Sequence, residues 1–198
     1  MLARDVMTGP VITLRPAHTV RWAVRVLLAN AVTAAPVLDD DGTLVGIVSE
    51  MDLLRGEFQP DPRTAMRPIL GHAAPPPLRV EEVMTRQVVT VTPTTDVARL
   101  VELLIAERVK SLPVLEGERV VGMVSRRDLI RMLARSDEEL RADVIAALTE
   151  QYPLGPSWDV TVEDGVATLS GHADDRHDRI ADLLTRTVPG VTRVRHLP

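Results

Sequence analysis

The chain has 198 residues, 45% hydrophobic and 26% charged, which suits one large or two small packed domains and excludes wholesale disorder. It has no cysteine, so disulfides, thiol nucleophiles, zinc ribbons and iron–sulfur clusters are out. The net charge of −5 and an aromatic content of 2% leave neither the basic groove nor the stacking platforms that hold single strands, and nucleic acid is not an expected partner.

No apolar run reaches the roughly 18 residues that span a bilayer, and Met1 does not open a basic-then-apolar leader. The expected compartment is the cytoplasm. The basic residues are 22 arginines and one lysine, Lys110. Residues 1–136 hold 17 basic and 16 acidic side chains (+1), and residues 137–198 hold 6 and 12 (−6). That shift predicts a domain boundary near Ser136.

The first 135 residues contain an internal repeat. Between 5–38 and 82–115, at an offset of 77, 14 of 34 positions are identical, beginning with Val6-Met7-Thr8 and Val83-Met84-Thr85. After one residue is lost in the turn beyond Asp39, 44–54 and 120–130 share 6 of 11. Each copy opens with a short β run (Val11–Leu14; Val88–Val91) that ends near a proline. A helix follows, N-capped at Thr19 and at Asp96, with Val20, Ala23, Val24, Leu27 and Leu28 at helical spacing. Pro36-Val37-Leu38 and Pro113 to Leu115 begin hairpins. The hairpins turn at Asp39–Gly42 and at Glu116–Glu118, and return through Leu44–Val48 and Val120–Val124. Ser49 and Ser125 open the closing helices. The copies span 1–56 and 81–135. The connection 57–80 is proline-rich, with a short helix expected over Arg63–Leu70.

The doubled order, with Met-Thr at 7–8 and 84–85, Xaa-Pro-Val at 35–37 and 112–114, and Gly46–Asp52 matched by Gly122–Asp128, closely resembles a tandem CBS-domain pair, or Bateman module. The resemblance implies two βαββα repeats packed as a pseudo-two-fold pair. It also implies clefts that take adenosine-containing ligands such as AMP, ADP or ATP, a regulatory role, and homodimerisation. Carried onto this chain, one cleft would use Ser125, Arg127 and Asp128 with Thr8, Val11, Thr33 and Ala34. The other would use Ser49 and Asp52 with Thr85, Val88, Lys110 and Ser111.

The chemistry suits such a ligand. A helix start presents free N–H groups to a phosphate, and an ionised aspartate accepts from ribose hydroxyls. Ser-x-x-Asp before an apolar run is equally a capping box, stabilising each helix by about 1 kcal/mol, and the two roles can coexist. Arg126 and Arg127 flank Asp128, whereas Glu50 and Met51 flank Asp52, so charge-assisted bonding favours the Asp128 cleft as the tighter one. Lys110 is either a phosphate ligand or a solvated charge.

Residues 136–198 begin with a second capping box, Ser136 with Glu139, on a helix carrying Leu140, Val144, Ile145 and Leu148. Strands over 158–162 and 166–170 flank the Glu163-Asp164-Gly165 turn. A helix over 175–187 ends at Pro189-Gly190, and a short strand covers 191–194. This αββαβ order, with Val166-Ala-Thr-Leu-Ser-Gly171 and Val188-Pro-Gly-Val-Thr-Arg-Val194, resembles a BON domain. That family is linked with phospholipid and envelope contacts. The −6 charge is repelled by anionic lipid at about 1 kcal/mol per charge, so a protein or small-molecule contact is favoured over membrane contact. Gly171 is expected in a turn with φ > 0. His172, His177, Asp174, Asp175, Asp178 and Asp182 are read as exposed surface and as complement to a helix dipole.

The overall expectation is an α/β (α+β) chain that is not an enzyme, with no P-loop or Gly-x-Gly-x-x-Gly. It needs no obligatory cofactor or metal. It would sense an adenine nucleotide and signal through the C-terminal segment to an unidentified protein partner. The alternative is a scaffold with empty clefts, acting through dimerisation and through protein or lipid contact of the BON segment.

Overall fold

The computed structural model describes residues 1–55, 63 and 77–197. The helix expected over Arg63–Leu70, Arg63 apart, and most of the 57–80 connection lie outside those residues.

Each copy opens with a one-turn helix that the repeat comparison did not bring out, α1 (Ala3–Val6) and α4 (Val80–Val83). In both, an acid at the third helical position turns back. Asp5 Oδ2 accepts the Leu2 N–H at 2.8 Å, and Glu82 Oε1 accepts the Arg79 N–H at 3.1 Å. These acids supply the half of a capping box that Leu2 and Arg79 cannot.

Helices α2 (Val20–Ala29) and α5 (Val97–Ala106) follow. Thr19 Oγ1 accepts from the Trp22 N–H, and Asp96 Oδ1 from the Ala98 N–H at 2.7 Å. Each buries the same three positions, Val20, Ala23 and Leu27 in one and Val97, Leu100 and Leu104 in the other.

The hairpins are β1 (Ala34–Leu38) with β2 (Leu44–Ser49), and β3 (Ser111–Glu116) with β4 (Arg119–Ser125). Asp39 Oδ1 organises the first turn by accepting the N–H groups of Asp41 and Thr43. The short closing helices are α3 (Glu50–Leu54) and α6 (Arg126–Leu133). The opening β runs shrink to one parallel bridge each, Leu14 to Val37 and Val91 to Val114. Pro16 and Pro93, two residues on, have no N–H to extend a ladder.

The chain packs as two compact units, Thr8–Thr92 with Glu107–Met123, and Met1–Met7 with Pro93–Ala106 and Val124–Pro198. Within the first, Thr8 pairs with Met123 through N–H···O bonds of 2.8 and 3.1 Å. Thr85 pairs with Ile47 through two of 2.9 Å. Thr8 and Thr85 are equivalent positions, as are Ile47 and Met123. Each copy's Met-Thr segment therefore completes the returning hairpin strand of the other. Two further bridges repeat the relation, Thr19 to Arg79 in the first unit and Leu2 to Asp96 in the second.

The core of the first unit gathers Leu14, Leu27, Val37, Val48, Leu53, Val80, Val83 and Met84. Gly46 is forced by that exchange. A Cβ there would lie 2.7 Å from Met84 Sδ and 3.1 Å from the Thr85 carbonyl.

In the second unit, α7 (Asp137–Gln151), β5 (Asp159–Glu163), β6 (Val166–Ser170), α8 (Asp175–Thr187) and β7 (Arg193–Leu197) form the expected αββαβ order. The sheet order is β5-β6-β7, antiparallel then parallel. Asp164 (φ +49°) and Gly165 (φ +72°) make the hairpin turn, as suits an Asp-Gly pair. The Asp137 carboxylate accepts both of their N–H groups at 2.9 and 3.0 Å. Val144 and Leu148 are buried in this sheet's core and Leu140 is buried beside Gly190, whereas Ile145, expected with them, is 37% exposed.

The expected boundary near Ser136 lies inside one compact unit, in its Val124–Pro198 stretch, whose parts are packed together across it. Arg135 donates to the Pro189 carbonyl at 2.7 Å and to Asp143 Oδ2 at 2.6 Å. Gly190 (φ +107°) sits where a Cβ would meet Leu140 at 2.6 Å and the Met132 carbonyl at 3.1 Å.

Gly46→Ala is expected to lower unfolding free energy by about 1–3 kcal/mol in urea titration, as overpacking does. Adding Met84→Ala should recover only part of the loss, because the Thr85 carbonyl remains.

Candidate functional site

A cavity of about 400 Å³ opens in the first unit beside the start of α3. Thr33, Ala34, Ile47 and Ser49–Asp52 wall it from one copy, and Thr85, Gln87–Val89 and Glu107–Leu112 from the other. Ser49, Asp52, Thr85, Val88, Lys110 and Ser111, grouped together from the sequence, all line it. So do Thr33 and Ala34, which the sequence grouping placed with Asp128 instead. The reciprocal pairing explains the composition of the wall: the Thr85–Ile47 bridge brings the Met-Thr segment of the second copy to the hairpin of the first.

Gln87, Glu107 and Arg108 were not singled out from sequence. A signal lay in the loop after the helix: Ala31 and Arg108 are equivalent positions, and both have positive φ, +52° and +54°. A left-handed residue other than glycine costs roughly 1–2 kcal/mol. It turns the chain sharply out of α2 and α5, and in the second copy presents Arg108 to the cavity. Three carboxylates (Glu50, Asp52, Glu107) and two cations (Arg108, Lys110) line the space.

The Ser-x-x-Asp pairs are closed capping boxes in both copies. Asp52 Oδ2 accepts from the Ser49 N–H at 2.9 Å and the Ser49 hydroxyl at 2.7 Å, while Ser49 Oγ accepts the longer 3.4 Å contact from the Asp52 N–H. Asp128 repeats the arrangement at 2.8, 2.6 and 3.3 Å. The second carboxylate oxygens differ. Asp52 Oδ1 lies 3.8 Å from Arg55, beyond hydrogen-bonding range, whereas Asp128 Oδ1 accepts from Arg131 at 3.2 Å. Asp52 thus caps its helix with one oxygen and holds the other in a looser ion pair with Arg55. Of the remaining residues grouped with Asp128, Ser125 and Arg127 belong to the second unit, and Thr8 and Val11 to the first.

The CBS-domain family model matches residues 3–57 and 80–135, and the BON-domain model matches 136–197. This chain is a tandem CBS-domain protein with a C-terminal BON domain. Neither family is a catalytic one, and the chain carries regulatory rather than enzymatic domains. It is 27% identical over 164 residues to an uncharacterized protein of Methanocaldococcus jannaschii, MJ1426, covering 67% of this chain and 91% of that one. The chain spans less than half the length of several other curated proteins it matches. Among solved structures, the CBS domain of a CBS domain-containing membrane protein from Sphaerobacter thermophilus superposes with a TM-score of 0.52 at 32% identity, covering 66% of this chain and 86% of that one. CBSX2, solved in complex with AMP, gives 0.53 at 26% identity, covering 66% and 93%.

In the BON domain His172, Asp174 and Asp175 are exposed as expected, whereas His177, Asp178 and Asp182 are half-buried in a bonded cluster. Asp174 N-caps α8, accepting the N–H groups of Arg176 and His177, and also pairs with His177 Nδ1. Those bonds from His177 hold its carboxyl down at about 2. Asp178 accepts the Trp158 indole N–H at 2.9 Å and the Ala173 N–H at 3.2 Å, and pairs with His172 at 2.6 Å. Burial pushes its carboxyl up, but these bonds outweigh it and the net shift is downward. His196 places Nδ1 2.9 Å from Asp182 Oδ1 and Nε2 2.9 Å from the carbonyl of Gly171, a turn residue at φ +118°. Both neighbours are acceptors, so the ring satisfies both only as the doubly protonated imidazolium. Burial alone would lower its pKa, but the bonds to Asp182 and Gly171 outweigh burial and raise it.

A group whose folded pKa is raised contributes stability that is full below its unfolded value and fades as pH climbs through the folded one. The wild type is therefore expected to lose more stability than His196→Gln as pH rises from about 6.5, the ordinary histidine value, to above the folded pKa. Melting temperatures of both proteins across pH 5.5–8.5 check the difference, and the comparison cancels the contributions of the other histidines.

Proposed function

We propose that this CBS–BON protein is a regulatory sensor that takes an adenosine-containing ligand in the Asp52 cavity and reports its occupancy through the BON domain. The single observation that carries the reading is the divided Asp52 carboxylate. One oxygen is bonded to the Ser49 cap, and the other makes only a 3.8 Å ion pair with the exposed Arg55, in a residue that lines a 400 Å³ cavity, so that a ribose hydroxyl can compete for it. Binding of AMP by CBSX2 supports the ligand class. Three carboxylates against two cations in the lining favour a nucleoside or monophosphate over a triphosphate. Asp128, with both carboxylate oxygens already bonded, makes the weaker candidate, in spite of the arginines beside it. Within the second unit α6 is the CBS element joined to the BON domain. It begins at the Ser125–Asp128 box, and at its far end the Met132 carbonyl and Arg135 meet Gly190 and Pro189.

In thermal unfolding, a ligand at 100 times its dissociation constant stabilises the native state by about 2.7 kcal/mol. AMP is expected to raise the melting temperature more than ATP does. Asp52→Asn should weaken AMP at least tenfold in calorimetry, and Asp128→Asn should weaken it less. No shift with AMP, ADP, ATP or S-adenosylmethionine at millimolar concentration would support the second reading, a scaffold whose carboxylates serve only as caps, which the closed boxes favour.

We also propose a homodimer. Both copies leave the same two apolar positions uncovered, Leu28 and Ile105 at 71% exposure each, and Leu54 and Ile130 at 48% and 66%, which suits an isologous interface. The paired substitution Leu28→Glu with Ile105→Glu is expected to give a monomer in sedimentation velocity where the wild type is a dimer. Among the described residues no helix is long and apolar enough to cross a membrane. The acidic BON domain fits a protein partner better than an anionic bilayer.

A further inference from the structure

We propose that the cleft between α5, α6 and the segment entering β7 binds the anion of a single-chain fatty acid. This cleft, in the second unit, holds about 590 Å³, within the range of about 300–1,000 Å³ typical of small-ligand sites. Val101, Leu129, Met132 and Leu133 line it from the two CBS helices, and Val191 and Val194 from the BON side. Val101 and Leu133 remain 40% and 60% exposed although they line a concavity.

The charged side chains of the lining are Asp96, Arg186 and Arg193, with Met1 and Thr192 beside them. Arg186 and Arg193, both on the BON side, line the cleft and are exposed. Neither has an ion pair or side-chain hydrogen bond among the described residues. The carboxylate in the lining, Asp96, already accepts the Ala98 N–H as the cap of α5. An apolar trough edged by two unengaged guanidiniums matches an alkyl chain ending in a carboxylate, which arginine holds in a bidentate fork. The apolar walls offer almost no donors or acceptors to an extended peptide backbone. The concavity suits a monomeric chain rather than a bilayer surface.

The occupant would brace α6 against the β7 lead-in, the same seam that Gly190 closes. The site does not depend on the nucleotide reading, because none of its lining residues is shared with the Asp52 cavity.

The test is calorimetric titration of the full chain with dodecanoate below its micelle concentration. Saturable uptake of one anion per chain is expected. The double variant Arg186→Ala with Arg193→Ala should bind at least tenfold more weakly while its AMP response is unchanged. Leu133→Arg, which fills the trough, should abolish binding. Dodecyltrimethylammonium, with the same chain and the opposite charge, should bind at least tenfold more weakly than dodecanoate. An unchanged unfolding midpoint in the double variant shows that the fold is kept. Four results would each overturn the proposal: no saturable dodecanoate binding, equal affinity in the double variant, association only with anionic vesicles, or a dimer that Leu133→Arg splits without any dodecanoate binding. Loss of AMP binding with dodecanoate binding intact would sink only the sensor reading.

Discussion

The structure depends on one exchange: the Met-Thr segment of each copy pairs with the returning hairpin strand of the other. The Thr8–Met123 and Thr85–Ile47 bridges are two hydrogen bonds each. They are short, yet they determine which residues face which. Because Thr85 is tied to Ile47, Val88 and Gln87 come to the wall that Ser49 and Asp52 occupy, and the Glu107–Leu112 loop closes it. Gly46 marks the cost of that closeness, since no side chain fits between the strand and Met84.

The Ser-x-x-Asp boxes show how one motif serves stability and recognition together. The serine and one carboxylate oxygen satisfy each other and N–H groups at the start of a short helix, which would otherwise lack an intrahelical partner. The second oxygen is held loosely by Arg55 at 3.8 Å in one copy and hydrogen-bonded by Arg131 at 3.2 Å in the other. The duplicated sequence thus repeats the same box and the same arginine pair with a different spacing. The equivalent arginines Arg55 and Arg131 both pair with the motif's aspartate, and what differs between the copies at this point is the separation, 3.8 against 3.2 Å.

Much of this was legible from sequence. The offset of 77 predicted both helices and hairpins, because an identical apolar spacing in two copies reports one packing problem solved twice. Thr19, Asp96, Ser49, Ser125 and Ser136 were readable as caps because a cap is local chemistry. Three things were not readable. Helices α1 and α4 are one turn long, too short for periodicity, and betrayed only by Asp5 and Glu82. The assignment of Thr33 and Ala34 to a cleft depended on which strand pairs with which, a long-range fact. The histidines of the BON domain looked scattered because His172, Asp178, Asp182 and His196 meet only after the sheet and α8 fold together.

The reciprocal bridges also say something about ancestry. A chain holding a single copy would have an unpaired Met-Thr segment and an unpaired hairpin edge, and could satisfy both only by meeting a second molecule. Duplication turned that bimolecular encounter into a tethered one, at an effective concentration set by the connecting segment. Freed from the need to be identical, the two halves could then drift apart, one keeping a cavity beside its closing helix and the other handing that helix to a C-terminal domain.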